Sequence, residues 1–139
     1  MAAPTGMQKT FYGLTFYYEE EKIYAAGEFI LRQGDEGKKL FVLAKGAVEV
    51  IQGNRRIATC AERGALFGEM AALLDSPYTA SVRALEPATV YIVHDVEDFM
   101  HSHPETVLFV ATMLARRLAE SNSKHFELAS AVSRANAKP

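Results

Sequence analysis

The chain has one cysteine, Cys60, and no tryptophan in 139 residues. A single thiol closes no internal disulfide and excludes a cysteine-rich metal site. Such usage fits a reducing compartment. There is also no excess of either charge: 15 Lys and Arg stand against 17 Asp and Glu, for a formal charge of −2. A chain so balanced exerts no general attraction on nucleic acid or anionic lipid, which argues against a complete DNA-binding regulator. No apolar run approaches the length needed to cross a bilayer. Residues Met1–Gln8 have neither the basic start nor the apolar stretch of a signal peptide. A cytoplasmic protein with no nucleic-acid and no membrane partner is expected.

What is present is a globular composition, 49% apolar and 23% charged. The length suits a single domain over residues 1–139 with a real core. From about residue 18 to residue 94 the texture is that of short apolar runs broken by glycine. The runs Glu28–Arg32, Lys39–Leu43, Ala47–Ile51, Arg56–Cys60, Ala80–Ala84 and Thr89–Val93 are rich in β-branched and aromatic residues, as strands are. Gln52-Gly53-Asn54-Arg55 reads as a tight hairpin connection, since Gly and Asn tolerate positive φ. Many short strands with regular turn signals imply a sandwich, jelly roll or barrel.

From about residue 95 to residue 132 the texture becomes helical. Asp95 with Asp98 fits the start of a short helix over Val96–His101. Ser102-His103-Pro104-Glu105 reads as a second start, with a proline in the first turn and a glutamate placed for a capping box. Val107, Val110, Ala111, Leu114 and Leu118 then recur at helical spacing, leaving Arg116 and Arg117 as a solvated face. Near the N-terminus, Phe11, Tyr12, Phe16, Tyr17 and Tyr18 suit either a helix bearing Phe11, Leu14 and Tyr18 or an early strand. In either case they are expected in the core rather than on an exposed partner patch.

The stretch Ala65–Ala84 carries the chemistry. Phe67-Gly68-Glu69 allows a tight turn, and a helix from Met70 would present free N–H groups to an anion. Glu69 is an acceptor for ligand hydroxyls, and Thr79 on the returning segment is a donor to an oxyanion. This stretch resembles the phosphate-binding cassette of cyclic-nucleotide-binding domains. Their pattern is close to F-G-E-[apolar]-A-L followed by P-R-x-A-x-[apolar]-R-A, against Phe67-Gly-Glu-Met-Ala and Pro77-Tyr-Thr-Ala-Ser-Val-Arg-Ala84 here. Ala26–Asp35 and Leu40–Val50 resemble the same family's early strands. The likeness spans about residues 20–120.

The resemblance implies a mainly β fold with C-terminal α structure: a jelly-roll-like β-roll (double-stranded β-helix) with flanking helices. It implies cAMP or cGMP as ligand, with Glu69 on the ribose hydroxyl, Gly68 beside it, and the backbone of Met70 and Ala71 facing the phosphate. Thr79 falls at the family's hydroxyl next to the phosphate. Tyr78 stands where the family has the arginine that pairs with the cyclic phosphate. Arg83 matches a second family arginine and is expected to be structural. Tyr78 is expected to fill the pocket or the core.

Other constellations carry less. His94, Asp98, His101 and His103 match no metal spacing. Ser102 lacks the context of a nucleophile elbow. The expectation is a non-enzymatic regulatory or interaction module that requires no cofactor, binds cAMP or cGMP weakly or not at all, and works through a protein partner or self-association. Its alternative is a small sensor that binds a nucleotide or another ligand in the altered pocket and signals through its C-terminal helices. An open polar cavity beside Glu69 would favour the sensor, and a slot plugged by tyrosine the module. With the residues that follow about Glu120, the DNA-binding motif of catabolite-activator-type members is not expected.

Overall fold

The computed structural model describes the backbone of residues 7–136 and the side chains of residues 8–123. In chain order its first strands are β1 (Met7–Phe11), β2 (Leu14–Tyr18), β3 (Glu20–Tyr24), β4 (Phe29–Leu31) and β5 (Leu40–Lys45). Then come β6 (Val48–Gln52), β7 (Arg55–Cys60), β8 (Leu66–Phe67), helix α1 (Glu69–Leu74), β9 (Ser81–Ala84) and β10 (Ala88–Val93). Helices α2 (Val96–Ser102) and α3 (Pro104–Asn136) follow. The six strand runs expected from composition are found as β4, β5, β6, β7, β9 and β10. Gly53-Asn54 is the two-residue link between β6 and β7, with Gly53 at φ 61°.

Two four-stranded antiparallel sheets face each other, in the orders β3-β10-β5-β8 and β4-β9-β6-β7. Tyr24, Leu43, Val48, Val82, Val90 and Ile92 pack between them. In β5 every residue from Leu40 to Ala44 is buried, because both faces of its sheet are covered. Phe41 and Leu43 point into the roll, while Leu40, Val42 and Ala44 point to the other side. A strand alternates its side chains, so an unbroken apolar run marks one that is covered twice. By contrast, the edge strand β7 is exposed along almost its whole length.

The second layer on that sheet comes from the two ends of the domain. β1 and β2 form a hairpin with Phe11 opposite Leu14, and Tyr12 and Gly13 both take positive φ in the turn. This pairing of signs matches the right-handed twist of the strands. The aromatic N-terminal run is therefore a hairpin rather than a helix, and its Phe11, Phe16 and Tyr18 are buried. They meet Phe109, Val110 and Met113 of α3. The Thr106 hydroxyl, fully buried, accepts the Tyr17 N–H at 3.1 Å.

Two helical expectations require correction. The inward stripe of α3 is Thr106, Phe109, Val110 and Met113, while Val107 and Leu118 are exposed. The apolar residues of this helix fit two stripes rotated by one position, and the one with the larger side chains, including Phe109, faces the sheet. Second, Ser102 ends α2 rather than capping α3, and in the first turn of α3 the Thr106 and Val107 N–H groups donate to the His103 carbonyl. The cap of α2 is as expected, with Asp95 Oδ1 accepting the Asp98 N–H at 3.2 Å. No helix among the described residues is long and apolar enough to cross a membrane.

Candidate functional site

Between β8 and β9 the chain turns sharply through Gly68, runs the six residues of α1, and returns past Pro77 to Tyr78. Gly68 sits at φ +87°, and a Cβ there would lie 2.7 Å from the Lys39 carbonyl oxygen and 3.1 Å from Tyr78 Cε1. Only glycine fits a positive φ with neighbours this close. The turn brings the Tyr78 ring against the backbone of Gly68 and Lys39. The Tyr78 hydroxyl donates to the Lys39 carbonyl at 3.0 Å and accepts the Lys39 N–H at 3.1 Å. Its side chain is 7% exposed. Burial pushes the phenol up from its ordinary range, which keeps it neutral.

Glu69, the first residue of α1, is 3% exposed. Its carboxylate receives Arg117 from α3 at 2.5 Å, and the same guanidinium donates to the Leu66 carbonyl at 3.0 Å. One arginine thus ties the C-terminal helix to the start of α1 and the end of β8. Arg117 was expected on a solvated face. Once the stripe of α3 is set at Phe109, Val110 and Met113, Arg117 follows at helical spacing on the side of the roll. Its neighbour Arg116 lies over the Tyr12 ring at 3.9 Å.

These groups surround a cavity of about 370 Å³. Gly68, Glu69, Met70, Ala71, Tyr78 and Thr79, the six residues singled out in the sequence, all line it. Missed there were its apolar floor, Leu31, Val50, Cys60 and Val82, and its roof, Met113, Arg116, Arg117 and Glu120. No motif marks the floor, because ordinary strand residues form it. Met70 and Thr79 are exposed at the cavity, while Ala71 is buried beneath it. On its other side Tyr78 borders a second hollow, whose lining includes Arg32, Lys38 and Lys39. Arg32 lies over the Phe29 ring and Lys38 pairs with Glu36 at 3.2 Å. Arg83 pairs with the buried Glu49 at 3.1 Å, beside Arg56 at 3.2 Å. Burial pushes the Glu49 carboxyl up, but these two guanidinium groups outweigh it and hold it below the usual range. Of the histidines, His94 pairs with Glu20 at 2.8 Å and His103 stacks on Phe99.

Residues 21–103 match the model of the cyclic nucleotide-binding domain. The chain belongs to that family. The human cGMP-dependent protein kinase 2 is 34% identical over 85 residues, which are 58% of this chain and 11% of the kinase. The cyclic AMP receptor protein of Thermus thermophilus is 30% identical over 115 residues, 78% of this chain and 53% of the receptor. The solved structure of PKAR CBD2 with bound Sp-2Cl-cAMPS superposes at a TM-score of 0.60 and 27% identity, covering 79% of this chain and 71% of that one. The chain thus spans about a tenth of the kinase and about half of the receptor. The mainly β roll with C-terminal helices expected from the cassette is the fold of the family.

Proposed function

We propose that this is a regulatory or interaction module of the cyclic nucleotide-binding family in which binding of cAMP and cGMP is weak or lost. On this reading the segment from Gly68 to Thr79 is a modified family pocket, and Tyr78 holds the place of the phosphate-binding arginine. The observation that carries the reading is the bonding of Tyr78. Its one hydroxyl proton is already given to the Lys39 carbonyl, so it has no donor left for a phosphate oxygen. Losing one partner of a desolvated charge pair costs about 2–5 kcal/mol, roughly 30-fold to several thousand-fold in affinity at 1.4 kcal/mol per decade. The ribose end is engaged as well, because Glu69 is already paired with Arg117. Among the described residues no group of three or more His, Cys, Asp or Glu is placed to hold a metal ion.

The output runs through α3, which roofs the cavity with Met113, Arg116, Arg117 and Glu120. A protein partner or a second copy would sense the position of that helix. The sensor reading draws support from one observation, that Tyr78 leaves about 370 Å³ of space beside Glu69. Calorimetric titration with cAMP and cGMP tests the proposal. The wild-type protein is expected to be silent at micromolar concentrations, and Tyr78→Arg to gain affinity for at least one nucleotide. Micromolar binding by the wild type would show that another group neutralises the phosphate, and the proposal would fail.

A further inference from the structure

The cavity beneath α3 has a chemical character of its own. Its floor is built from Leu31, Val50, Ala58, Cys60 and Val82, and Met113 closes it from above. None of these offers a strong hydrogen bond, and together they form a wall suited to apolar surface. The charged groups along its lining are three carboxylates, Glu62, Glu69 and Glu120, and two guanidinium groups, Arg116 and Arg117. Both cations are engaged, Arg117 by Glu69 and Leu66 and Arg116 by the Tyr12 ring. An anion entering here meets a rim on which three carboxylates outnumber two guanidinium groups, and the Coulomb term opposes it. An uncharged molecule suffers no such penalty. The volume, about 370 Å³, exceeds the ~150 Å³ that admits a single benzene ring in an engineered apolar cavity. A molecule of two or three rings is the matching size.

We infer that this cavity binds an uncharged, mainly apolar small molecule, seated on the Val50–Ala58 wall under Met113, in place of a cyclic nucleotide. The inference rests on the reading of the pocket as one that has lost its phosphate site. Val50 and Ala58 are direct cross-strand partners on β6 and β7, and both line the cavity. Ile57, next along β7, is exposed and is not among the lining residues. A ring added at Val50 or Ala58 therefore fills the space, and one added at Ile57 does not.

The probe is N-phenyl-1-naphthylamine, an uncharged aromatic amine whose emission rises in apolar surroundings. The wild-type protein is expected to show a saturable rise with one site per chain. Val50→Phe and Ala58→Phe should weaken it by about tenfold or more, since the added ring competes for the same volume, while Ile57→Phe leaves it unchanged. A measurement on the wild type alone covers the case in which the filling variants fail to fold. Cys60 lines the cavity, so saturating probe should slow its alkylation by iodoacetamide severalfold. No saturable rise, a rise that folded filling variants do not weaken, or unchanged alkylation of Cys60 would each overturn the inference and leave the loss of nucleotide binding untouched. Displacement of the probe by cAMP or cGMP would overturn the Proposed function and this inference with it.

Discussion

Two packed cores share one sheet, and they differ in where their residues come from. The inner core, between the sheets, draws from Tyr24 to Ile92, all within the 21–103 segment that defines the family. The outer core takes Phe11, Phe16 and Tyr18 from before that segment and Phe109, Val110 and Met113 from after it. The outer core is also the more aromatic. Phe109 lies 5.9 Å from Phe11 and 5.1 Å from Phe16, and Tyr18 stacks on Tyr91 at 4.0 Å. The roll is thus a family unit, and the helix roofing the cavity is fastened to it by flanking segments. Among the described residues the roof meets the rest of the domain through the outer core and through Arg117. A roof that loosens while the roll stays folded would suit a signalling helix.

The largest effect should come from breaking the outer core at Phe109, which is 0% exposed. Phe109→Ala is expected to cost about 3–5 kcal/mol, the usual range for a buried phenylalanine. Hydrogen exchange distinguishes a local from a global loss. Amides of residues 105–114 should lose protection well before those of β5 and β10. Equal loss in both places would mean that roof and roll are one cooperative unit.

The same contrast explains what was legible in the sequence. The inner core was readable because its strands are bounded by glycine turns and because Phe67-Gly68-Glu69 and Pro77–Ala84 carry a family pattern. The six cassette residues do line one cavity. The outer core was not readable in this way. A hairpin at residues 7–18 and a helix stripe turned by one position depend on contacts made about 90 residues apart, such as Tyr17 with Thr106. Local pattern carries no information on such pairs. The bond from Arg117 to Glu69 went unseen for the same reason, since the wrong stripe placed Arg117 in solvent.

A smaller effect is expected at the inner core's polar anchor. Tyr78→Phe keeps the ring against Gly68 but leaves the Lys39 N–H and carbonyl without the phenol. Unpairing part-buried backbone groups in this way costs about 1–3 kcal/mol at most. Urea denaturation should report the loss at neutral pH, with no gain in nucleotide binding, because no cation has been added. A neutral-pH stability equal to wild type would mean that water replaces the hydroxyl at no cost.

The smallest effect, absent at neutral pH, is the share of one outer-core phenol in the alkaline loss of stability. Burial pushes the Tyr91 phenol of the outer core up to about 12, with the neighbouring Tyr18 and Glu21 adding to it. Tyr18 is raised too, again mainly by burial. An unfolded tyrosine ionises near 10. Below that pH both states hold the proton, and the stabilisation is fully present. Above it the unfolded chain releases the proton first, so stability falls as pH rises from about 10 through about 12. Tyr91→Phe keeps the ring stacked on Tyr18 and removes the ionisable group, so the alkaline fall should become shallower while neutral stability stays within about 1 kcal/mol of wild type. Tyr78→Phe, by contrast, lowers stability at neutral pH. If Tyr91→Phe behaves as Tyr78→Phe does, the Tyr91 hydroxyl is a structural anchor as well, and the outer core is held by polar contacts and not by aromatic packing alone.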